Sequence, residues 1–183
     1  MFLRIVPVGS ALKEILQSVK IELELYLNIK SRILGRLPMP KEAFNRWRKQ
    51  YNAEIVMDTL SQASEVKFID KSIPTLMVTD HDLYYGGLNF IFGLENPSTK
   101  TAIVSIARLR PEFYDESPNV KLLKERTVKE VIHEMGHNMG LDHCYDPSCV
   151  MKFSPSISDV DEKKKEFCER CKSHLMTKGI YLR

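Results

Sequence analysis

Residues 133–143 read HEMGHNMGLDH and are followed directly by Cys144. His133 and His137 stand at i and i+4, so on a helix they stack on one face with Cβ atoms about 5–6 Å apart. Two imidazoles so placed can reach one ion. Glu134 lies beside them and can face the open position of that ion without ligating it, the H-E-x-x-H arrangement in which the glutamate is the candidate general base. His143 is the candidate third ligand, and geometry restricts how it arrives. On a continuous helix it would lie about 9 Å further along the axis than His137, too far for ligands about 2.0–2.1 Å from one zinc. The helix must stop, and Gly140 can stop it, because glycine takes the left-handed conformation without steric penalty. The helix itself is predicted from about Val120, with Val128, Ile132, Met135 and Met139 as its buried stripe. Three of the chain's five histidines enter this scheme, and His81 and His174 are left outside it.

The four cysteines, Cys144, Cys149, Cys168 and Cys171, are spaced C-x4-C-x18-C-x2-C. Two close pairs at such a separation read as a closed, four-thiolate structural zinc site. The alternatives are two disulfides, or a redox-active Cys168–Cys171 pair; disulfides are disfavoured in most cytosols. With zinc in both places, the His143–Cys144 peptide bond joins a catalytic metal to a structural one, giving two zinc ions per chain.

The remainder of the 183 residues must supply a scaffold. A hydrophobic share of 43% with 28% charged residues suits a soluble globular domain. No apolar run approaches the ~20 residues that span a bilayer, and the start suits a first strand better than a signal peptide, so the expected location is cytoplasmic. The net charge of +3 is too small to imply a nucleic-acid partner, and the basic stretches at 41–49 and 162–166 read as solvated faces.

Strands are expected at 2–8, 32–37, 74–80, 88–95 and 101–109. A helix capped by Ser10 should bury Leu12, Ile15, Leu16, Val19, Leu23, Tyr26 and Leu27, and a second, over 51–63, should bury Val56, Leu60 and Ala63. The order β-α-β-α-β-β-β-α argues for an α/β layered domain. The short turn ENPS at 95–98 permits a hairpin, so one of the last two strands should run antiparallel to the rest.

The motif His133-Glu134-x-x-His137-x-x-Gly140-x-x-His143 is the metzincin zinc signature. With Cys144 after it, then CVM at 149–151 and FCERC at 167–171, the chain resembles the archaemetzincins, zinc-dependent peptidases of archaea and some eukaryotes. The likeness extends upstream to VTDHDLYYGGLNFIFG and SIARLR. It implies a metzincin-like α/β (α+β) domain with a mixed, mostly parallel five-stranded sheet, an antiparallel edge strand, an active-site helix and a zinc-bound C-terminal tail. It implies a single metallopeptidase domain over 1–183, with residues 1–140 above the cleft and 141–183 below, and no removable pro-segment. It makes Met151 the methionine of the Met-turn beneath the catalytic zinc. Astacin-like relatives place an oxyanion-stabilising tyrosine two residues later, whereas this chain has Phe153, which lacks a hydroxyl.

The expected function is hydrolysis of peptide bonds by a zinc-activated water, with Glu134 taking the proton and passing it to the leaving amine. Residues 88–95, set among glycines and ended by a turn, suit an edge strand. Asn89, Phe90, Ile91, Phe92 and Gly93 are then the candidates for pairing with an extended peptide. The expected partner is a peptide or protein substrate, with no nucleic acid and no membrane, acting on a monomer. The rival readings are a zinc-stabilised binding protein with an inert H-E-x-x-H site, and a thiol-disulfide protein using Cys168 and Cys171.

Overall fold

In the computed structural model, which describes residues 2–62 and 73–182, the first half of the chain runs β1 (Phe2–Val8), α1 (Lys13–Leu27), β2 (Lys30–Ile33), β3 (Phe44–Asn45), β4 (Gln50–Asn52) and α2 (Ala53–Ser61). There follow β5 (Thr75–Thr79), β6 (Leu83–Tyr84), β7 (Gly93–Asn96), β8 (Thr101–Ser105), α3 (Val120–Asn138), α4 (Ile157–Glu162) and α5 (Glu169–Thr177). Five strands form one sheet in the order β2-β1-β5-β8-β7, parallel throughout except for β7, which runs antiparallel to β8.

Parallel strands need crossovers, and crossover helices cover both faces. The sequence alternates accordingly. Leu3, Ile5, Leu76, Val78, Ala102 and Val104 pack with α1 and α3, while Val6, Val8, Met77 and Ile103 pack with α2. Every residue of β5 and β8 is buried. Their few polar side chains, such as Thr79 and Ser105, are hydrogen-bonded: Ser105 Oγ donates to the His81 carbonyl at 2.7 Å. Helix α1 buries Ile15, Leu16, Val19, Leu23 and Leu27, with Leu12 and Tyr26 partly buried beside them. Helix α2 starts at Asn52, whose side chain accepts from the Ile55 N–H, and buries Val56 and Leu60; Ala63 lies outside the described residues.

Several expectations need correction. Helix α1 begins after Leu12 without a side-chain cap, so Ser10 is not its cap; the Ser10 N–H instead donates to Asp80. The second strand is Lys30–Ile33; beyond it the Leu34 N–H still donates to Ile5 O at 2.8 Å, and Leu37 makes a single bridge to Val8. A second sheet, β3-β4-β6, is built from pieces too short to show period-2 alternation. The edge strand is Gly93–Asn96, not 88–95. Asn89 to Phe92 precede it as irregular chain, tied down by Ile91 N–H donating to Leu83 O at 3.0 Å and by Arg108, whose guanidinium stacks on Phe90 and Phe113. Aromatic and branched residues made this stretch look extended, but Phe90 is held by the Arg108 guanidinium and Ile91 makes a single bridge, to Leu83 of β6, instead of a ladder. Lys163, read as part of a solvated face, is fully buried.

Candidate metal centre and active site

Helix α3 runs under the sheet with Val128, Ile132, Met135 and Met139 all buried. It ends as its glycine requires. Gly140 has φ +84°, its N–H donates to His137 O at 2.8 Å, and the Leu141 N–H donates to Gly136 O at 2.9 Å. These two bonds are a Schellman motif, which satisfies the last helical carbonyls and reverses the chain. The reversal brings the ring of His143 to 5.3 Å from His133 and 4.8 Å from His137, centroid to centroid.

The same turn orients the rings. His137 Nδ1 lies 2.8 Å from Leu141 O, and His133 Nδ1 lies 2.8 Å from Val150 O. A ring that donates through Nδ1 to a carbonyl offers its Nε2 lone pair on the opposite side. The two Nε2 atoms meet at 3.1 Å, and one ring nitrogen from each of the three histidines lies within 4.8 Å of the others. Nitrogens bound to zinc at 2.0–2.1 Å are separated by about 3.3 Å at tetrahedral angles, so the cluster fits that ion. Burial, the Lys163 ammonium and His137 hold His133 well below the usual histidine range, and burial also lowers His137 and His143. The rings are therefore neutral near pH 7, as metal ligation requires.

Glu134 is buried and lines the cavity into which the histidines face. Burial pushes its carboxyl well above the usual range, the Glu130 and Glu95 carboxylates add to that, and Lys163 opposes it. It lies flat against Gly93 of the edge strand, where a Cβ would come within 2.8 Å of its Cγ and Cδ. Gly136 plays a similar part on the other side of α3: Met151 Sδ and the Phe167 ring fill the space that a side chain there would take. Met151 is fully buried, and its carbonyl accepts the Cys144 N–H at 2.8 Å.

The cavity has a volume of about 500 Å³. Its upper wall is Tyr85 and the irregular chain through Asn89, Phe90, Ile91 and Phe92 to Gly93; its floor includes Phe153, Ser154 and Pro155. All five residues expected on the edge strand thus reach the cavity, although four do so from loop. Phe153 packs its ring 5.0 Å from that of His143. Sequence reasoning missed Glu95, Glu130 and Lys163. Glu130 is one helical turn before Glu134 and on its face, which was a usable signal; its partner Lys163, at 2.8 Å, is distant in sequence and left none.

The four sulfurs gather as a second cluster. Cys144 and Cys168 are 3.7 Å apart, and Cys149 and Cys171 are 3.8 Å apart. A disulfide would hold them at about 2.0 Å, whereas sulfurs bound at about 2.3 Å to a tetrahedral zinc are separated by about 3.8 Å. Burial raises the Cys149 and Cys171 thiols. Burial also acts against ionisation of Cys144, but hydrogen bonds from the Asp146 backbone, its neighbouring cysteines and Arg170 outweigh it, and the net shift is downward. Sulfurs this close cannot all ionise without a cation among them, and a divalent soft-metal ion removes that conflict. His81, whose ring packs on Tyr51, and His174, on α5, belong to neither cluster.

The profile of Peptidase family M54 matches residues 4–177 of the chain. The archaemetzincin of Methanocaldococcus jannaschii is 40% identical over 176 residues, covering 96% of this chain and 93% of that protein. The archaemetzincin of Pyrococcus furiosus is 41% identical over 172 residues, covering 91% and 88%. Among solved structures, the archaemetzincin of Methanopyrus kandleri superposes with TM-score 0.82 at 35% identity, covering 97% of this chain and 94% of that one. A zinc-dependent peptidase from Methanocorpusculum labreanum gives TM-score 0.84 at 31% identity, covering 94% and 99%. No described helix is long and apolar enough to cross a membrane. A histidine triad and a thiol cluster at zinc spacing, on this fold and with these relatives, place the chain in peptidase family M54, the archaemetzincin family of zinc metallopeptidases.

Proposed function

We propose that His133, His137 and His143 hold a catalytic zinc, that Cys144, Cys149, Cys168 and Cys171 hold a second, structural zinc, and that Glu134 is the general base of peptide-bond hydrolysis. The observation that carries this reading is the orientation of Glu134: its carboxylate faces the cavity shared by the three rings and is braced by Gly93 without being one of the clustered ligands. Zinc, when bound there, acidifies a water and polarises the scissile carbonyl. Glu134 holds the proton given up by the attacking water and returns it to the leaving amine. A carboxyl whose affinity for protons is raised by burial suits that exchange.

The substrate lies extended along β7. Phe92 O accepts the Ser105 N–H at 2.8 Å, and pairing alternates along the antiparallel ladder Gly93↔Val104, Leu94↔Ile103, Glu95↔Ala102. Gly93 and Glu95 therefore turn their N–H and C=O groups to the open edge, free to pair with a peptide laid across the cavity. In this reading the chain through Gly140 is the roof of the cleft and residues 141–183 are its floor, with Met151 as the support beneath the rings. The protein works in the cytoplasm, since thiols at metal spacing suit a reducing compartment.

The test is digestion of a diverse peptide library by the zinc-loaded protein, read by mass spectrometry, beside Glu134→Gln. Cleavage by the wild type that falls by about a hundredfold or more in the variant is the expected result. Equal cleavage by both, or none by the wild type, removes Glu134-assisted hydrolysis as the function.

A further inference from the structure

The basic stretch at 41–49 belongs to neither metal cluster, yet it does not stand apart from the cleft. Lys41, Arg46, Arg48 and Lys49 oppose a single acid there, Glu42, and Trp47, the chain's one tryptophan, sits among them. Strands β3 and β4 pair as a tight hairpin, Phe44 with Tyr51 and Asn45 with Gln50, so residues 46–49 are its turn. The turn is firmly held. Asn45 Oδ1 accepts the Trp47 and Arg48 N–H groups, each at 3.1 Å, and Lys49 closes the loop at φ +55°.

Arg48 ties this turn to the cavity. Its guanidinium stacks on Tyr84, and Nη2 donates to Leu88 O at 2.7 Å and to Asn89 O at 2.9 Å. Gln50 Nε2 adds a bond to the same Asn89 carbonyl at 2.9 Å. Leu88 and Asn89 line the cavity together with Tyr85, and both Leu88 and Tyr85 leave apolar surface exposed where it opens. Trp47 directly precedes Arg48, about 3.8 Å away between Cα atoms, and is 97% exposed. Its indole therefore contributes nothing to the core. Arg46 and Lys49 beside it are also exposed and make no ion pair among the described residues.

We propose that Trp47, with Arg46 and Lys49 beside it, is an exosite for the part of a peptide substrate that extends beyond the cavity, taking an apolar side chain flanked by acidic ones. This rests on the peptidase reading and adds a substrate class to it: chains long enough to cross the rim, with acidic and apolar residues there. The cavity, about 500 Å³, has the volume of a small-ligand site, so a longer peptide must leave it over its wall. Exposed apolar surface continuous with a cleft marks an interaction site, and tryptophan and arginine are the side chains that most often carry binding energy at interfaces.

Because Trp47 is the chain's one tryptophan, its emission reports the contact directly. A core hexapeptide is titrated into zinc-loaded Glu134→Gln, alone or with an arm of about six residues at either end, roughly 20 Å when extended. The arm alternates Asp with Leu, alternates Lys with Leu, or is Gly-Ser; calorimetry gives the affinity and fluorescence the state of the indole. On one side the Asp-Leu arm should tighten binding about tenfold or more over the core. It should also shift the emission to the blue, and both effects should shrink at high salt. Trp47→Ala should reduce the armed-to-core ratio to about twofold or less, and Arg46→Glu with Lys49→Glu should transfer the preference to the Lys-Leu arm. Arms that change neither affinity nor emission, or a ratio that survives Trp47→Ala undiminished, overturn the exosite and leave binding of the core in the cleft standing. Emission that answers only to a single-stranded oligonucleotide overturns it in favour of a nucleic-acid contact. Absence of binding by the core and by every armed peptide overturns both the exosite and the peptidase reading.

Discussion

The carboxylate of Glu134 rests on the backbone of Gly93, so the general-base candidate on α3 and the edge strand β7 touch where one has no side chain. A methyl group at Gly93 would sit 2.8 Å from Glu134 Cγ and Cδ, well inside van der Waals contact. The sheet and α3 are both packed firmly, so Glu134 is the group that must move. Gly93→Ala should keep its zinc and most of its stability while losing about tenfold or more in kcat, because small displacements of a reacting group are costly. Steady-state kinetics with metal analysis checks this; unchanged kcat would mean that the contact does not set the position of the carboxylate.

Metal content divides the two clusters. Elemental analysis should find two zinc ions per chain. His137→Ala should lose one and keep the fold, whereas Cys168→Ser should lose the other and unfold the tail, since structural zinc contributes on the order of 10 kcal/mol in small modules. A wild-type count of one zinc, with cysteines that react with thiol reagents only after reduction, would contradict the four-thiolate site.

The Schellman turn at Gly140 sets both His137 and His143. Alanine at φ +84° is strained by roughly 1–2 kcal/mol, and the space on that side is already taken by the Lys178 amine, which donates to Gly140 O at 2.8 Å. Gly140→Ala should lower Tm by about 2–8 °C and weaken retention of the catalytic zinc under a chelator while sparing the zinc at the thiols. Loss of both metals in parallel would show that the turn serves general stability alone.

Lys163 and Glu130 form an ion pair with almost no water around either. Removing one partner leaves a buried charge, so Lys163→Met should destabilise by about 3–5 kcal/mol, and the double variant Lys163→Met with Glu130→Leu should recover most of that. Denaturant titration of the three proteins decides it. A single variant as stable as the wild type would place the pair in water.

Short-range pattern determined much of this protein. The three histidines, Glu134 and Gly140 lie within eleven residues, and helix geometry alone leaves one way for them to meet. The buried stripe of α3, the buried and mostly apolar β5 and β8, and the turn that makes β7 antiparallel were equally legible, because each is a local periodicity or a local break. Tertiary structure decided the rest. The irregular course of residues 88–92 goes with distant partners, Arg48 and Gln50 on their carbonyls and Arg108 on Phe90, and the burial of Lys163 goes with Glu130, 33 positions earlier in the chain. A charge or a short strand is settled by whatever packs against it, and those neighbours come from distant parts of the chain, where no periodicity links them.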